Sequence, residues 1–170
     1  MMRTIQYSKS PHISNLSAHG ESLENNPQLL KNKLRWTTLG VEYNWDTKKY
    51  PPSGRALPTE LQTLGNLISE SLKLGEMRPD AAIVNFYPPK STLSPHVDRS
   101  ERSMAPLISL SLGQDAVYLS GVMHGSQRLV YHAIPCIGVS PSKENFVGDS
   151  RAADYLNSSR VNITIRQVNP

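Results

Sequence analysis

A chain of 170 residues, 38% apolar and 19% charged, has the size and composition of one globular domain, and no run approaches the roughly 18 apolar residues a spanning helix needs. Eighteen Lys and Arg against fourteen Asp and Glu leave a formal charge of +4, which excludes a strongly acidic solvating chain and favours a polyanionic partner without specifying one. The single cysteine, Cys136, excludes an internal disulfide; it reads as a packing residue in a reducing, intracellular setting, whether nucleus, cytoplasm or mitochondrion.

Residues 1–25 read as an extended polar arm, with Arg3, Lys9 and several serines before the first acid, Glu21. In NPQLLKNKLRW, Asn26 stands where an N-cap belongs and Pro27 at the first helical position, so a short helix is predicted that carries Lys31, Lys33 and Arg35. PTELQTLGNLISESLKLG is the strongest helical pattern. Pro58 opens it, Leu61, Leu64, Leu67, Ile68 and Leu72 form an apolar stripe expected to face the core, and Gly75 is placed to end it. The segments AAIVNFY, PLISLSL, DAVYLSG, RLVYHAI and RVNITIRQV are β-branched and aromatic and are separated by Pro, Gly and Ser; Ser150 is expected to cap a short helix through RAADYLN. The pattern predicts a mainly β, α+β protein, a jelly roll supported by flanking helices, with residues 26–170 as one domain behind the arm.

Alternation in the last segment sends Val161, Ile163 and Ile165 to one side and Arg160, Asn162, Thr164 and Arg166 to the other. A solvated basic face is the plain explanation for a lone strand of this kind. Two more extended segments repeat the spacing, pairing Asn85 with Tyr87 and His96 with Asp98. A His, an Asp and a second His form the facial triad that leaves positions open on a non-haem Fe(II), and His132 in VYHAIP offers the second imidazole, with His12, His19 and His124 as alternatives. H-x-D alone is a weak signal; the arginine strand makes it specific. Iron in such a triad needs an electron-donating cosubstrate, and a dicarboxylate chelating at one end needs a cation at the other, for which Arg166 is the expected clamp. Zinc hydrolysis could use the same three ligands but leaves the Arg/Asn face without purpose.

NFYPPKSTLSPHVDRSE, YHAIP and RVNITIRQV together resemble the AlkB family of Fe(II) and 2-oxoglutarate dioxygenases, and LRWTTLGVEYNWDTKKYP is similar to its eukaryotic homologue-one branch. The likeness runs from about Leu34 to Val168. It implies a double-stranded β-helix core, iron on His96, Asp98 and His132, and 2-oxoglutarate on Asn85, Tyr87, Arg160, Asn162 and Arg166, with Arg166 on the far carboxylate. It also implies consumption of O2 and oxidative demethylation or hydroxylation of modified nucleobases in tRNA or DNA.

A base must leave its stack to reach buried iron, so Tyr43, Trp45 and Tyr50, interleaved with Lys48 and Lys49, are the expected stacking and backbone contacts in a recognition segment near residues 36–56. The alternative is that Trp36 and Trp45 pack a helix layer on the barrel and that the lysines are a solvated face. Where bacterial repair members read the base with a carboxylate two residues after the metal Asp, this chain has Ser100, followed by Glu101; both are candidate substrate contacts. The connection from Asp98 to His132 is short by roughly two strands' worth of residues. The expected break is near Gly121 and Val122, where a true deletion would open the barrel wall beside the iron. Two other readings keep less of this picture: a histone or other protein substrate for the same iron chemistry, and a catalytically silent nucleic-acid-binding module. A monomer with no membrane partner is expected in each case.

Overall fold

The computed structural model describes residues 13–98, 100–121, 130–138 and 150–170. In chain order the elements are α1 (Leu29–Asn32), β1 (Trp36–Gly40), α2 (Thr59–Ser71), β2 (Ala81–Tyr87), β3 (Leu93–His96), β4 (Ile108–Gly113), β5 (Ala116–Gly121), β6 (Tyr131–Ile137), α3 (Ser150–Leu156) and β7 (Arg160–Arg166). All strand pairings are antiparallel, and they build a larger sheet ordered β1-β2-β7-β4 and a smaller one ordered β3-β6-β5. The five segments predicted as strands are all strands, and two more, β1 and β3, join them. No helix among the described residues is long and apolar enough to cross a membrane.

The alternation along β7 divides the larger sheet into two chemically distinct faces. On the outer face Ala82, Ile108 and Ile165 form a core with Leu57 and Met77, against which Leu61, Leu64 and Ile68 of α2 pack. The apolar stripe therefore supports the sheet, but its phase differs from the expected one. Gly65 and Ser69 are the buried residues at its centre, and Leu67 is 58% exposed; it lies roughly 200° around the axis from Gly65 at 100° per residue. The reason is a close approach: a Cβ on Gly65 would stand 2.7 Å from Pro79 Cγ and 3.2 Å from Ile165 Cγ2. The helix also stops at Ser71, short of Gly75, because Lys73 turns left-handed (φ 55°) and Ser69 Oγ donates to the Gly75 carbonyl at 2.8 Å. Leu72, beyond the last turn, is exposed.

The described part of the supposed polar arm is folded. Ser14 bridges Thr37, a 3-10 turn spans Ser17–His19, and Leu16 is buried against Leu29 and Leu34. One apolar residue among polar neighbours is enough to anchor the segment, which composition alone hides. The turn from β4 into β5 requires Gly113 (φ 86°), where a Cβ would fall 2.3 Å from the Ser159 carbonyl oxygen. Among the described residues β4 pairs only with β7 and β5 only with β6, so each sheet ends on one of these consecutive strands. Gly121 closes β5; Val122, the other side of the expected break, lies outside the described residues.

Candidate active site

The inner faces of the two sheets enclose a cavity of about 960 Å³. Antiparallel register places its groups. In the larger sheet Asn85 stands opposite Asn162 and Tyr87 opposite Arg160, so the pairs predicted from spacing form one block. In the smaller sheet His96 stands directly opposite His132, and Asp98 follows just after β3. The four polar residues of β7, Arg160, Asn162, Thr164 and Arg166, are all buried, so the solvated-face explanation fails.

His96, Asp98 and His132 offer ligand atoms that all lie within 4.8 Å of one another, the one such group of three among the described residues. His132 Nε2 is 3.9 Å from Asp98 Oδ2. Each imidazole directs Nδ1 at a backbone carbonyl, His96 at Ser94 (2.9 Å) and His132 at Val130 (3.3 Å). A carbonyl can only accept, so Nδ1 is the donor in each ring, which leaves Nε2 as the nitrogen turned toward a metal. His19, one of the alternatives, sits in the N-terminal 3-10 turn; His12 and His124 lie outside the described residues. Two imidazoles and one carboxylate on one side of the cavity fit an Fe(II) facial triad.

The opposite wall fits a dianion. Arg160 and Arg166 line the cavity, and Arg160 Nη1 and Arg166 Nε are buried without a hydrogen-bond partner. Arg160 Cζ sits 5.0 Å from the Tyr87 ring centroid, and its Nη2 donates to Ser111 Oγ at 2.7 Å. Arg166 differs from its expected placement. Its Nη2 is 3.6 Å from Asp98 Oδ2 and its Nη1 pairs with Glu101, so it stands beside the metal cluster and not a cosubstrate's length away. Alternation shows which face a residue occupies but not how near it comes to the other sheet. Burial alone would lower the Arg166 pKa; Tyr50, Asp98 and Glu101 overcome that and raise it. Asn162 is also more committed than expected, since both hydrogens of its amide are taken by Ser109 Oγ (2.8 Å) and the Leu110 carbonyl (3.0 Å). It ties β7 to β4, and giving a hydrogen to a carboxylate would break one of these bonds.

The segment expected to recognise the substrate forms an aromatic row. Trp36 and Trp45 ring centroids are 4.6 Å apart, Tyr43 meets Trp45 edge-on at 4.8 Å, and Tyr43 and Tyr50 are 5.1 Å apart. The tryptophans pack on each other, and Trp45 remains 44% exposed. Lys48 and Lys49 are exposed beside it. Tyr50, expected as a stacking residue, is 2% exposed and unavailable; burial pushes its hydroxyl up to about 12. Ser100 Oγ lies 3.3 Å from the Tyr43 hydroxyl. Glu101, expected at the substrate, has a side chain only 1% exposed and is turned onto Arg166. Sequence reasoning missed Tyr118, which stacks on His132 (5.8 Å, 23°) at the cavity wall; the available signal was its two-residue spacing from Ser120, the residue opposite His132. Burial, then Asp98, raises the Tyr118 pKa.

Comparison with known proteins agrees with this geometry. The profile of the 2OG-Fe(II) oxygenase superfamily matches residues 2–122, a span that includes His96 and Asp98 and stops before His132 and β7. The tRNA demethylase abh1 of Schizosaccharomyces pombe is 36% identical over 84% of this chain, and the nucleic acid dioxygenase ALKBH1 of Homo sapiens is 30% identical over 95% of it. The chain spans only 55% and 58% of those two proteins. The solved structure of OsALKBH1 superposes with a TM-score of 0.61 at 19% identity, covering 78% of this chain and 77% of that one, and shares the jelly-roll fold. With the triad, the buried Arg/Asn strand and the profile match in agreement, the chain belongs to the 2OG-Fe(II) oxygenase superfamily, within its AlkB family.

Proposed function

We propose that this chain carries the catalytic site of an Fe(II)- and 2-oxoglutarate-dependent oxygenase that hydroxylates, and thereby demethylates, modified bases in tRNA or DNA. The observation that carries the reading is the convergence of His96, Asp98 and His132 on one wall of a cavity whose other wall holds Arg160 and Tyr87. His96 and His132 through Nε2, with Asp98, would hold the iron; when bound, iron and 2-oxoglutarate supply an oxidant for a substrate C–H bond at the expense of O2. Arg160, placed over the Tyr87 ring at the opposite end of β7 from Arg166, is the better clamp for the distal carboxylate. Arg166 and Asn85 are left for the end nearer the metal, and Asn162 fixes the wall.

Nucleic acid as the substrate is supported by the names of the two relatives and by the exposed Trp45, backed by Trp36 and flanked by Lys48 and Lys49, which suits stacking of an extruded base and contact with its phosphates. We further propose that residues present in relatives are absent near Gly121 and Val122. The profile match ends at 122, and the alignment to the human relative runs over 225 residues although this chain has 170.

Incubating the chain with Fe(II), 2-oxoglutarate and ascorbate, then analysing methylated tRNA, methylated DNA and histone peptides by mass spectrometry, tests the reading. Loss of methyl groups from a nucleic acid, abolished by Asp98→Ala while that variant still retains the nucleic acid, is the expected result. Turnover by Asp98→Ala equal to the parent would refute the metal assignment, and modification of histone peptides alone would refute the substrate class.

A further inference from the structure

We infer that Glu101 is a positioning residue for the metal centre: it holds the Arg166 guanidinium to itself and so leaves the Asp98 carboxylate available to a divalent cation. The inference deepens the reading above and rests on its assignment of His96, Asp98 and His132 to the metal. Arg166 is buried, its side chain 8% exposed, and a guanidinium in such a place requires an anion. Two carboxylates compete for it. Asp98 Oδ2 lies 3.6 Å from Nη2, beyond hydrogen-bonding distance, whereas a Glu101 oxygen accepts directly from Nη1. That asymmetry divides the labour: the Glu101 side chain, at 1% exposure and off the cavity lining, neutralises the cation, while Asp98, 20% exposed and on the lining, faces the imidazoles.

Remove the Glu101 charge and the balance shifts in two ways. Arg166 stays protonated, so its nearest remaining anion is Asp98, a metal ligand. Its uncompensated charge also opposes a dication arriving a few ångströms away. Glu101 therefore acts through Arg166 and does not contact the base. This function was legible only in part: the residue type was singled out as a contact at the site, but a loop has no periodicity to say which way it turns.

The test measures Mn(II) affinity anaerobically, by titration calorimetry on the full chain, for the parent, Asp98→Ala, Glu101→Gln, Arg166→Gln and the Glu101→Gln/Arg166→Gln pair. Glu101→Gln is expected to weaken Mn(II) binding about tenfold or more, as outer-sphere substitutions at metal sites do, and the double variant to recover most of that loss because the offending cation is gone. A merely structural role predicts a lower melting temperature without this recovery. No Mn(II) binding by the parent would remove the metal assignment itself. A parent that binds, with Glu101→Gln binding equally well or with the double variant as weak as Glu101→Gln, overturns the inference alone. If Glu101→Gln does not fold, the double variant is compared with Arg166→Gln; equal affinities support the inference and weaker binding by the double variant overturns it.

Discussion

Arg160 and Arg166 sit on the same face of one strand six residues apart, yet their neighbours assign them different work. Arg160 sits over the Tyr87 ring with one nitrogen on Ser111, a double engagement that suits a guanidinium better than an ammonium. Arg160→Lys should therefore raise the KM for 2-oxoglutarate about tenfold, the loss of one charge-assisted bond pair, and leave Mn(II) affinity unchanged. Steady-state kinetics beside metal titration would check both halves, and a KM unaffected by the change would return the distal carboxylate to Arg166. Trp45 gives a second case. Its exposed ring is supported from below by Trp36 and edge-on by Tyr43, so it is held ready at little further entropic cost. Trp45→Ala should weaken single-stranded oligonucleotide binding by about 1–3 kcal/mol in a fluorescence anisotropy titration, the range for one base–aromatic stack. Tyr50→Phe should not, since that ring never meets solvent. What the sequence disclosed at this scale was residue type and face. It did not disclose that Glu101 turns inward or that Asn162 spends its amide on β4, because those facts depend on partners 65 and 53 residues away.

At the level of elements, the strands were readable because alternation is local, whereas the phase of α2 was not, because Pro79 and Ile165 set it from outside the helix. Four leucines and an isoleucine define a broad stripe compatible with several rotations. The small residue Gly65 selects one by allowing the backbone to approach the sheet. That choice carries a prediction that runs against helix propensity. An alanine in mid-helix ordinarily gains about 1 kcal/mol over glycine. Here the new methyl would meet a proline ring at 2.7 Å, and Pro79 is poorly able to retreat because Asp80, next in the chain, is fastened to Val168 and Asn169 through its carboxylate. Overpacking of this kind costs about 1–3 kcal/mol. Gly65→Ala should therefore lower stability by about 1 kcal/mol net, the balance of these effects, read as a lower urea midpoint with an unchanged slope. A higher midpoint would mean that α2 has room to move and that glycine is not what sets its phase.

The whole molecule makes a site that no part of it contains. The metal cluster belongs to β3, β6 and the residues just after β3, the guanidinium wall belongs to β7, and β7 is held between β2 and β4 across long stretches of sequence. Pairing of that range forms only in the folded chain, so an unfolded chain presents two isolated histidines and an aspartate with no common point. Folding and metal binding must then be linked, since a cation that binds only the native state stabilises it by about 2.7 kcal/mol at one hundred times its Kd. For a domain of this size each kcal/mol moves the melting temperature by about 2–4 °C. Saturating Mn(II) should thus raise Tm by about 5–10 °C, increasing with metal concentration, and 2-oxoglutarate added afterwards should raise it further by engaging β7. Asp98→Ala should abolish the first shift while leaving the apo melting temperature near that of the parent, because Asp98 is partly exposed and its removal leaves Arg166 still paired with Glu101. Among the described residues β4 and β5 each end a sheet, and this bears on the same measurement. If that left the two sheets unable to hold their separation, the histidines of the smaller sheet and the arginines of the larger would not meet one dicarboxylate, and 2-oxoglutarate would add nothing to the Mn(II) shift. Calorimetric scans with metal alone, cosubstrate alone and both together therefore read whether the seven strands among the described residues are sufficient to keep the two walls of the cavity in register.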